Sequence, residues 1–504
     1  MKTKTILLMV LFVAILFVIP VNAQDLFDEI RQGHIANVKK LIEEDPQSIH
    51  TRLGGIYPLH QAVRHEQKEI AEFLISKGAD VDKFGKDVTE FAPFEFTPLT
   101  EAIRNNNIDM IKMFIAKGAD VKKLTSLRES YLHFAAFLNR TELAEYFIDL
   151  GMDVNIKKSG DMTPLHIAAV AGNREVSELL IEKGADLDLR STDGGTPLHF
   201  AMAAGHQDIE ELLRSKGAKD LPRNFPLYKG KYLGIKKPGL TPEPFAPELF
   251  KDIYRVHSTP AFSPDGREVY WECIFMLGNN DVSRVWFMKE EKDRWTEPRV
   301  APFSEYPSGG PAFFPDGARL VYDSTRPRDS GAAPAKDLDL WVVEREGDVW
   351  SEPEHLNSPL NKDGSFEVYP LVAKDGTIYL GIGRREGYIK SAFVGGKYSQ
   401  LETIGDLFDT NVIDTCRAQE YILFFSDRGR DARYEYEIYI SYHLPDGRWA
   451  KPIYLGDKLH PGRRATQAIT SLDGKYLFFV SYFYYYWVDA KIIEDLKPQE
   501  LKNK

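Results

Sequence analysis

Three sets of residues have the types and the spacing to do chemistry. His60, His133, His166 and His199 recur at matching points of a repeated segment, and imidazoles gathered in one place would make a metal site. Asp265, Asp316, Asp375 and Asp473 each precede a glycine, and carboxylates on glycine-containing loops are what a calcium site uses. Arg326, Arg384 and Arg428 follow apolar strands at related points. Drawn together, such guanidinium groups would bind an acidic peptide terminus or an anionic sugar through paired hydrogen bonds. The familiar catalytic motifs are missing: there is no Gly-x-Ser-x-Gly elbow, no His-Glu-x-x-His helix and no phosphate-cradling loop ending in Lys-Ser or Lys-Thr.

The elements that carry these residues decide between chemistry and architecture. Leu59, Leu99, Leu132, Leu165 and Leu198 lie at steps of 40, 33, 33 and 33 residues, and Gly78, Gly118, Gly151, Gly184 and Gly217 follow each of them by 19. Two landmarks holding one register define an internal repeat. Within it, Thr163-Pro164-Leu165-His166-Ile167-Ala168-Ala169 and Thr196-Pro197-Leu198-His199-Phe200-Ala201 place a capping Thr before a Pro at the first helical position, where its missing N–H costs nothing. A second helix follows, with Val176, Leu179, Leu180 and Ile181 as its apolar stripe and Gly184 as its stop. The other units depart modestly, with Tyr57 before Pro58, Thr100 in place of the histidine, and Tyr131 in place of the proline.

These motifs resemble the ankyrin repeat, which implies a stack of helix pairs joined by extended hairpins. The histidines then fall in different layers, where structural hydrogen bonding is their expected role. Asp25 to Glu44 reads as an N-terminal capping repeat with Leu26, Phe27, Ile30, Val38, Leu41 and Ile42 facing inward. The 40-residue step has room for an insertion within Val81 to Phe96. Phe84, Phe91, Phe94 and Phe96 make it a candidate partner-binding protrusion, the alternative being rings that cover a neighbouring repeat or the following domain.

After Asp220 the helical period stops, and a Pro-, Gly- and Lys-rich junction leads to a different repeat. Pro260-Ala261-Phe262-Ser263-Pro264-Asp265-Gly266 and Pro311-Ala312-Phe313-Phe314-Pro315-Asp316-Gly317 each set a turn between two apolar strands, with weaker copies at Asp375-Gly376 and Asp473-Gly474 and at Arg417 to Glu420. The acids are expected to make these turns rather than to hold metal. Trp295, Trp350, Tyr398 and Trp449 form a second landmark at steps of 55, 48 and 51 residues, after a third strand such as Leu340-Trp341-Val342. Four strands in about 50 residues imply propeller blades. The segment resembles the TolB-like, WD-repeat-like propellers over Lys229 to Pro498. Five units are visible, with six blades as the alternative, and the last lacks an outer strand that Gly239 to Phe245 would supply.

The expected architecture is therefore an ankyrin α-solenoid followed by a β-propeller: residues 1–23 a signal peptide, 24–220 the array, 221–249 the linker and closing strand, 250–504 the propeller. A chain of 504 residues exceeds one ordinary core. Its net charge of −11 excludes a general binder of nucleic acid. Cys273 and Cys416 are expected to be buried rather than bridged. Neither a cofactor nor a metal is expected. The predicted role is an exported, non-catalytic scaffold for protein partners or envelope components, with a peptide- or saccharide-binding receptor, or an enzyme, at the propeller channel as the alternative. Basic Lys2 and Lys4 before the apolar run Ile6 to Val21, and the small Ala23, read as a signal cleaved ahead of Gln24 to give a periplasmic or secreted protein without an integral membrane segment. An uncleaved run would instead anchor the chain in the membrane. Fusing residues 1–30 to a reporter should carry it across a membrane, and sequencing the mature protein should return Gln24 first; a full-length product in the cytoplasm would contradict the reading.

Overall fold

The computed structural model describes residues 21–89, 92–222, 226–250, 256, 258–275, 282–329, 334–335, 337–356, 358–361, 367–382, 388–395, 397–403, 415–416, 421–426, 437–446, 448–459, 466–481 and 484–502. By contact density the chain divides into two compact units, Met1–Leu189 with Glu211–Ala218, and Arg190–Glu210 with Lys219–Lys504.

Helix pairs follow one another along the N-terminal region: Val21–Gln32 with Ile35–Glu44, Pro58–Arg64 with Lys68–Ser76, Pro98–Arg104 with Ile108–Ala116, Tyr131–Phe137 with Thr141–Asp149, Pro164–Ala171 with Arg174–Glu182, and Pro197–Ala204 with Gln207–Ser215. Helices this short are marginal alone, so they depend on packing. The first helix of a repeat is buried on most sides, as in Pro164 to Val170, where every residue is buried. The second helix is amphipathic. In Arg174–Glu182 its buried face is Val176, Ser177 and Leu180, while Leu179 and Ile181 are only partly covered. The expected stripe is thus correct in Val176 and Leu180 and too wide at Leu179 and Ile181, while Ser177 joins the buried face with its hydroxyl bonded to the Asn173 carbonyl at 2.7 Å. In the first pair Leu26, Phe27, Ile30, Val38 and Ile42 are buried, with Leu41 at the margin.

Neighbouring hairpins are tied through their turns. Asp82 accepts the Asp120 N–H at 3.0 Å, and Asn155 accepts the Asp186 N–H at 2.9 Å two repeats later. The insertion forms an antiparallel hairpin, Gly85–Thr89 against Ala92–Phe96, with Gly85 opposite Phe96.

Among its described residues the second unit contains five antiparallel sheets of four or more strands: three have four, and two add a short fifth strand, Arg294–Trp295 in one and Val349–Trp350 in the other. Blade one is Ala261–Phe262, Glu268–Phe275, Val282–Glu291 and Arg299–Val300; blade two Ser308–Phe313, Arg319–Ser324, Asp339–Glu346 and Glu354–His355; blade three Glu367–Val372, Ile378–Ile382, Tyr388–Ser391 and Glu402–Thr403; blade four Thr415–Cys416, Tyr421–Ser426, Glu437–Tyr442 and Ile453–Tyr454. Blade five is Thr466–Thr470, Tyr476–Ser481 and Tyr484–Asp489, completed by Glu243–Pro244 from before blade one. There Tyr486 pairs with Pro244 and Trp487 with Glu243, and the Phe245 N–H reaches the Tyr485 carbonyl at 2.8 Å.

The turn acids do what their position predicts. Asp265, Asp316 and Asp375 accept the N–H two residues on at 3.1, 2.9 and 3.0 Å, and the glycine beside each has a left-handed backbone. Blades interlock through apolar side chains: Tyr270 and Val285 of blade one share a cluster with Phe313, Leu320 and Trp341 of blade two. The Trp350 indole N–H donates to the Tyr270 hydroxyl at 2.8 Å, and Arg345 grips Glu268 with bonds of 2.8 and 2.6 Å. Trp350, one member of the Trp landmark, is therefore a clamp between blades. Cys273 is buried; the side chain of Cys416 and the turn Arg417 to Glu420 lie outside what is described.

Truncating Leu180 to Ala should cost the array about 2–5 kcal/mol, the range for a fully buried leucine. Leu179→Ala should cost clearly less, as measured by denaturant unfolding; equal losses would contradict the observed helix face.

Candidate functional site

His133, His166 and His199 are structural caps. His133 Nδ1 accepts from the Ser130 N–H at 3.2 Å and lies 2.8 Å from its hydroxyl, while Nε2 meets the Met162 carbonyl of the next repeat at 3.1 Å. His166 and His199 repeat the cap, with their Nδ1 atoms 3.1 Å from the backbone nitrogens of Thr163 and Thr196. His60 differs because Tyr57 offers no aliphatic hydroxyl at that point. Its Nε2 instead meets the Gly85 N–H at 3.1 Å and the Phe96 carbonyl at 3.2 Å. A side chain on Gly85 would meet that imidazole at 2.9 Å, so the inserted hairpin needs glycine there. Burial holds the His133 and His60 rings neutral. It is the main cause pulling His133 down to about 3, assisted by the Lys158 charge, and pulling His60 down to about 4.

Among the candidate partner-binding phenylalanines, Phe96 is fully buried, edge-on to His60 at 5.3 Å. It is core rather than contact surface, which corrects the expectation for this residue: its ring packs against His60 and the Arg64 guanidinium of helix Pro58–Arg64. Phe84 is half-buried, with the Lys123 ammonium 4.9 Å from its centroid. The backbone of Phe94 pairs with Asp87; its side chain, and all of Phe91, lie outside the described residues. Of the three arginines, Arg326 pairs with Glu305 at 3.3 Å and stacks on Tyr306 and Trp341 at 5.3 and 5.9 Å. Arg384 and Arg428 lie outside the described residues.

The inner strands build a feature that none of these residues signals. Gly310, Tyr369 and Gln467 occupy one position in blades two, three and five, each left-handed with φ of 51°, 52° and 45°, where the inner strand slips register against the second strand. Together with Ser258 and Thr259 they line a cavity of about 10 Å³. Behind its wall, Glu272 and Asp323 stand at equivalent positions on the second strands of blades one and two. A Cβ on Gly309 would lie 2.6 Å from the Glu272 carboxyl, and one on Gly310 would lie 2.5 Å from Asp323 Oδ2. The Gly309-Gly310 pair therefore makes room for two buried acids. Asp323 accepts the Tyr369 N–H at 3.2 Å. Burial, then the neighbouring Glu272 charge, push its carboxyl well above the usual range. Gln467 is 2% exposed, and neither its Oε1 nor its Nε2 has a protein partner.

A sequence signal for this position exists. Thr259-Pro260, Gly310-Pro311, Tyr369-Pro370 and Gln467-Ala468 all stand immediately before the last two residues of an inner strand, so aligning the repeats column by column brings these positions together.

A family model of ankyrin repeats matches the chain three times, over residues 26–125, 84–158 and 132–224. No curated protein matches the chain. The N-terminal region is thus an ankyrin-repeat array, carried on one chain with a five-bladed β-propeller, and both kinds of domain generally mediate protein interactions. Among the described residues no helix is long and apolar enough to cross a membrane.

Because His133 is neutral when folded but titrates near 6.5 when unfolded, the unfolded state takes up the proton first as pH falls. The stabilisation is complete above 6.5 and is lost progressively towards 3. Unfolding of the full chain followed by helical circular dichroism should show His133 costing up to about 2 kcal/mol between pH 6.5 and 5. A His133→Gln variant should have a correspondingly shallower slope, and an unchanged slope would contradict the buried neutral cap.

Proposed function

We propose that the protein is an exported, non-catalytic scaffold that holds a protein partner on the ankyrin array and a second protein or envelope component on a TolB-like propeller. The observation that carries this reading is that both repeat architectures spend their conspicuous chemical groups on structure: histidines on caps, aspartates on turns, Arg345 on a clamp between blades. Extended surface is what such repeats then offer. Ser263-Pro264-Asp265-Gly266 supports the TolB-like assignment, and the N-terminal basic and apolar run supports export to the periplasm or beyond. The hairpin Gly85–Phe96 is the one lengthened connection in the periodic part of the array, and lengthened loops on a rigid frame commonly carry recognition.

A second reading, a saccharide- or peptide-binding receptor with its site at the propeller axis, is favoured by the cavity that inner-strand residues Thr259, Gly310, Tyr369 and Gln467 line together.

The scaffold reading is tested by a photo-crosslinking residue at Lys86 on the hairpin, half-exposed at 45%, compared with one at Lys40 on the capping repeat, exposed at 75%. In the native cell, Lys86 should trap a discrete polypeptide that Lys40 does not, and the purified pair should then bind directly. Equal trapping at both positions, or none at Lys86, would contradict the hairpin as a recognition element.

A further inference from the structure

The connection from blade one to blade two is pinned at both ends. The Val285 N–H donates to the Ser304 hydroxyl oxygen at 2.9 Å. The Thr325 N–H and the Ser324 hydroxyl both donate to the Pro307 carbonyl, at 3.0 and 2.9 Å. Glu305 and Tyr306, the two residues between these anchors, are therefore bracketed by Arg284, which precedes Val285, and Arg326, which follows Thr325.

Both guanidinium groups are held in place, and neither is used up. Arg326 stacks on Tyr306 and Trp341, and among the described residues its one ion pair is a single bond of 3.3 Å to Glu305. A well-made charge-assisted bond is shorter, about 2.7–2.9 Å. Arg284 is partly buried, and among the described residues its side chain donates only to the Ser283 carbonyl, at 3.1 Å. Burial pulls this guanidinium down to about 10, with the Glu305 charge opposing. A desolvated charge with no close counter-ion is costly, and it gains when one arrives. Two cations thus bracket one carboxylate, leaving a single positive charge in excess.

The class of ligand follows from that charge and from the shape of the donors. The planar fork of an arginine matches a carboxylate through paired bonds. A neutral group would leave the excess charge uncompensated, and a phosphate dianion would exceed it while lying close to the Glu305 carboxylate. The anion already present is a glutamate side chain, exposed at 66%, so the site accepts a group of that kind from solvent.

We infer that the junction of blades one and two is a docking site for an acidic side chain of a partner protein, whose carboxylate pairs with Arg284 and competes with Glu305 for Arg326. This rests on the scaffold reading and deepens its propeller half.

The test is saturation-transfer NMR on the full chain with pentapeptides Gly-Gly-X-Gly-Gly, acetylated and amidated so that X carries the only charge, where X is Glu, Gln or phosphoserine; sodium glucuronate is the sugar arm. The Glu peptide should give a saturable signal that the Gln peptide lacks, and its affinity should fall about tenfold or more in Arg284→Gln. Glu305→Gln, which removes the internal competitor from an exposed position, should raise that affinity about two- to fivefold. Should Arg284→Gln fail to fold, Arg284→Lys, which keeps the charge and loses the fork, should also weaken binding. Equal signals from the Glu and Gln peptides, signal confined to phosphoserine or glucuronate, undiminished binding by the Arg284 variants, or weaker binding by Glu305→Gln would each overturn the inference. Crosslinking at Lys86 concerns the ankyrin array alone, so a discrete partner trapped there alongside failure here would remove the acidic docking site and leave the scaffold reading standing.

Discussion

A ring of antiparallel sheets has two ends, and an outer edge left open there exposes a row of unpaired N–H and C=O groups. In this protein that edge is closed by Glu243–Pro244, which pairs with Trp487 and Tyr486. The closing strand is pinned by Phe245, fully buried, whose ring meets those of Phe262, Phe478 and Trp487 at 5.7, 5.2 and 5.0 Å. Blade one and blade five are thus joined by both backbone and side chains. A second tie precedes the strand: Tyr232 donates its N–H to the Gly266 carbonyl of blade one at 2.9 Å and sets its ring edge-on to Tyr476 of blade five at 5.0 Å. The Trp295 indole reaches the Gly230 carbonyl at 2.8 Å. The Pro- and Gly-rich stretch after Asp220 is therefore partly built into the propeller rather than a free tether. With the ring closed, inner strands of four blades can converge on one cavity, and the kinks at Gly310, Tyr369 and Gln467 acquire a common centre.

Much of this was legible because repetition reports itself. The Leu and Gly landmarks located the helix pairs, and the Pro-Asp-Gly turns located the second strands, since both depend on backbone conformations that few residues tolerate. The outer strand missing from the last unit pointed forward to Glu243–Pro244 for the same reason: an unpaired edge has to be accounted for. Less was legible where tertiary packing overrides local pattern. Leu179 and Leu180 look alike in sequence, and only the fold turns one inward. Phe84 and Phe96 look alike as aromatic hairpin residues, yet one is half-buried and the other entirely enclosed. The axial position was overlooked because a bulge is invisible to alternation: it moves Gln467 out of the strand's two-residue period, so neither face of the pattern claims it.

The conspicuous residues and the consequential ones are different sets. Histidine and aspartate recur because every repeat needs a cap or a turn, and recurrence spreads them through the molecule instead of gathering them. Two features, by contrast, occur once. Gln467 has no counterpart among the residues at its position in the other described blades, which are Thr259, Gly310 and Tyr369, and the inserted hairpin has none among the other connections of the periodic array. In a molecule made of repeats, function is best sought where the repeat is broken.

Hydrogen exchange at the closing strand tests the dependence of the propeller on its closure most directly. The Phe245 amide, bonded to the Tyr485 carbonyl at 2.8 Å, and the Asp489 amide, bonded to the Gly239 carbonyl at 2.9 Å, should exchange as slowly as the Val321 and Val343 amides in the middle of blade two, opening only with the whole ring. Fast exchange at Phe245 and Asp489 while blade two stays protected would show that the ring stands without its closing strand and would contradict the account.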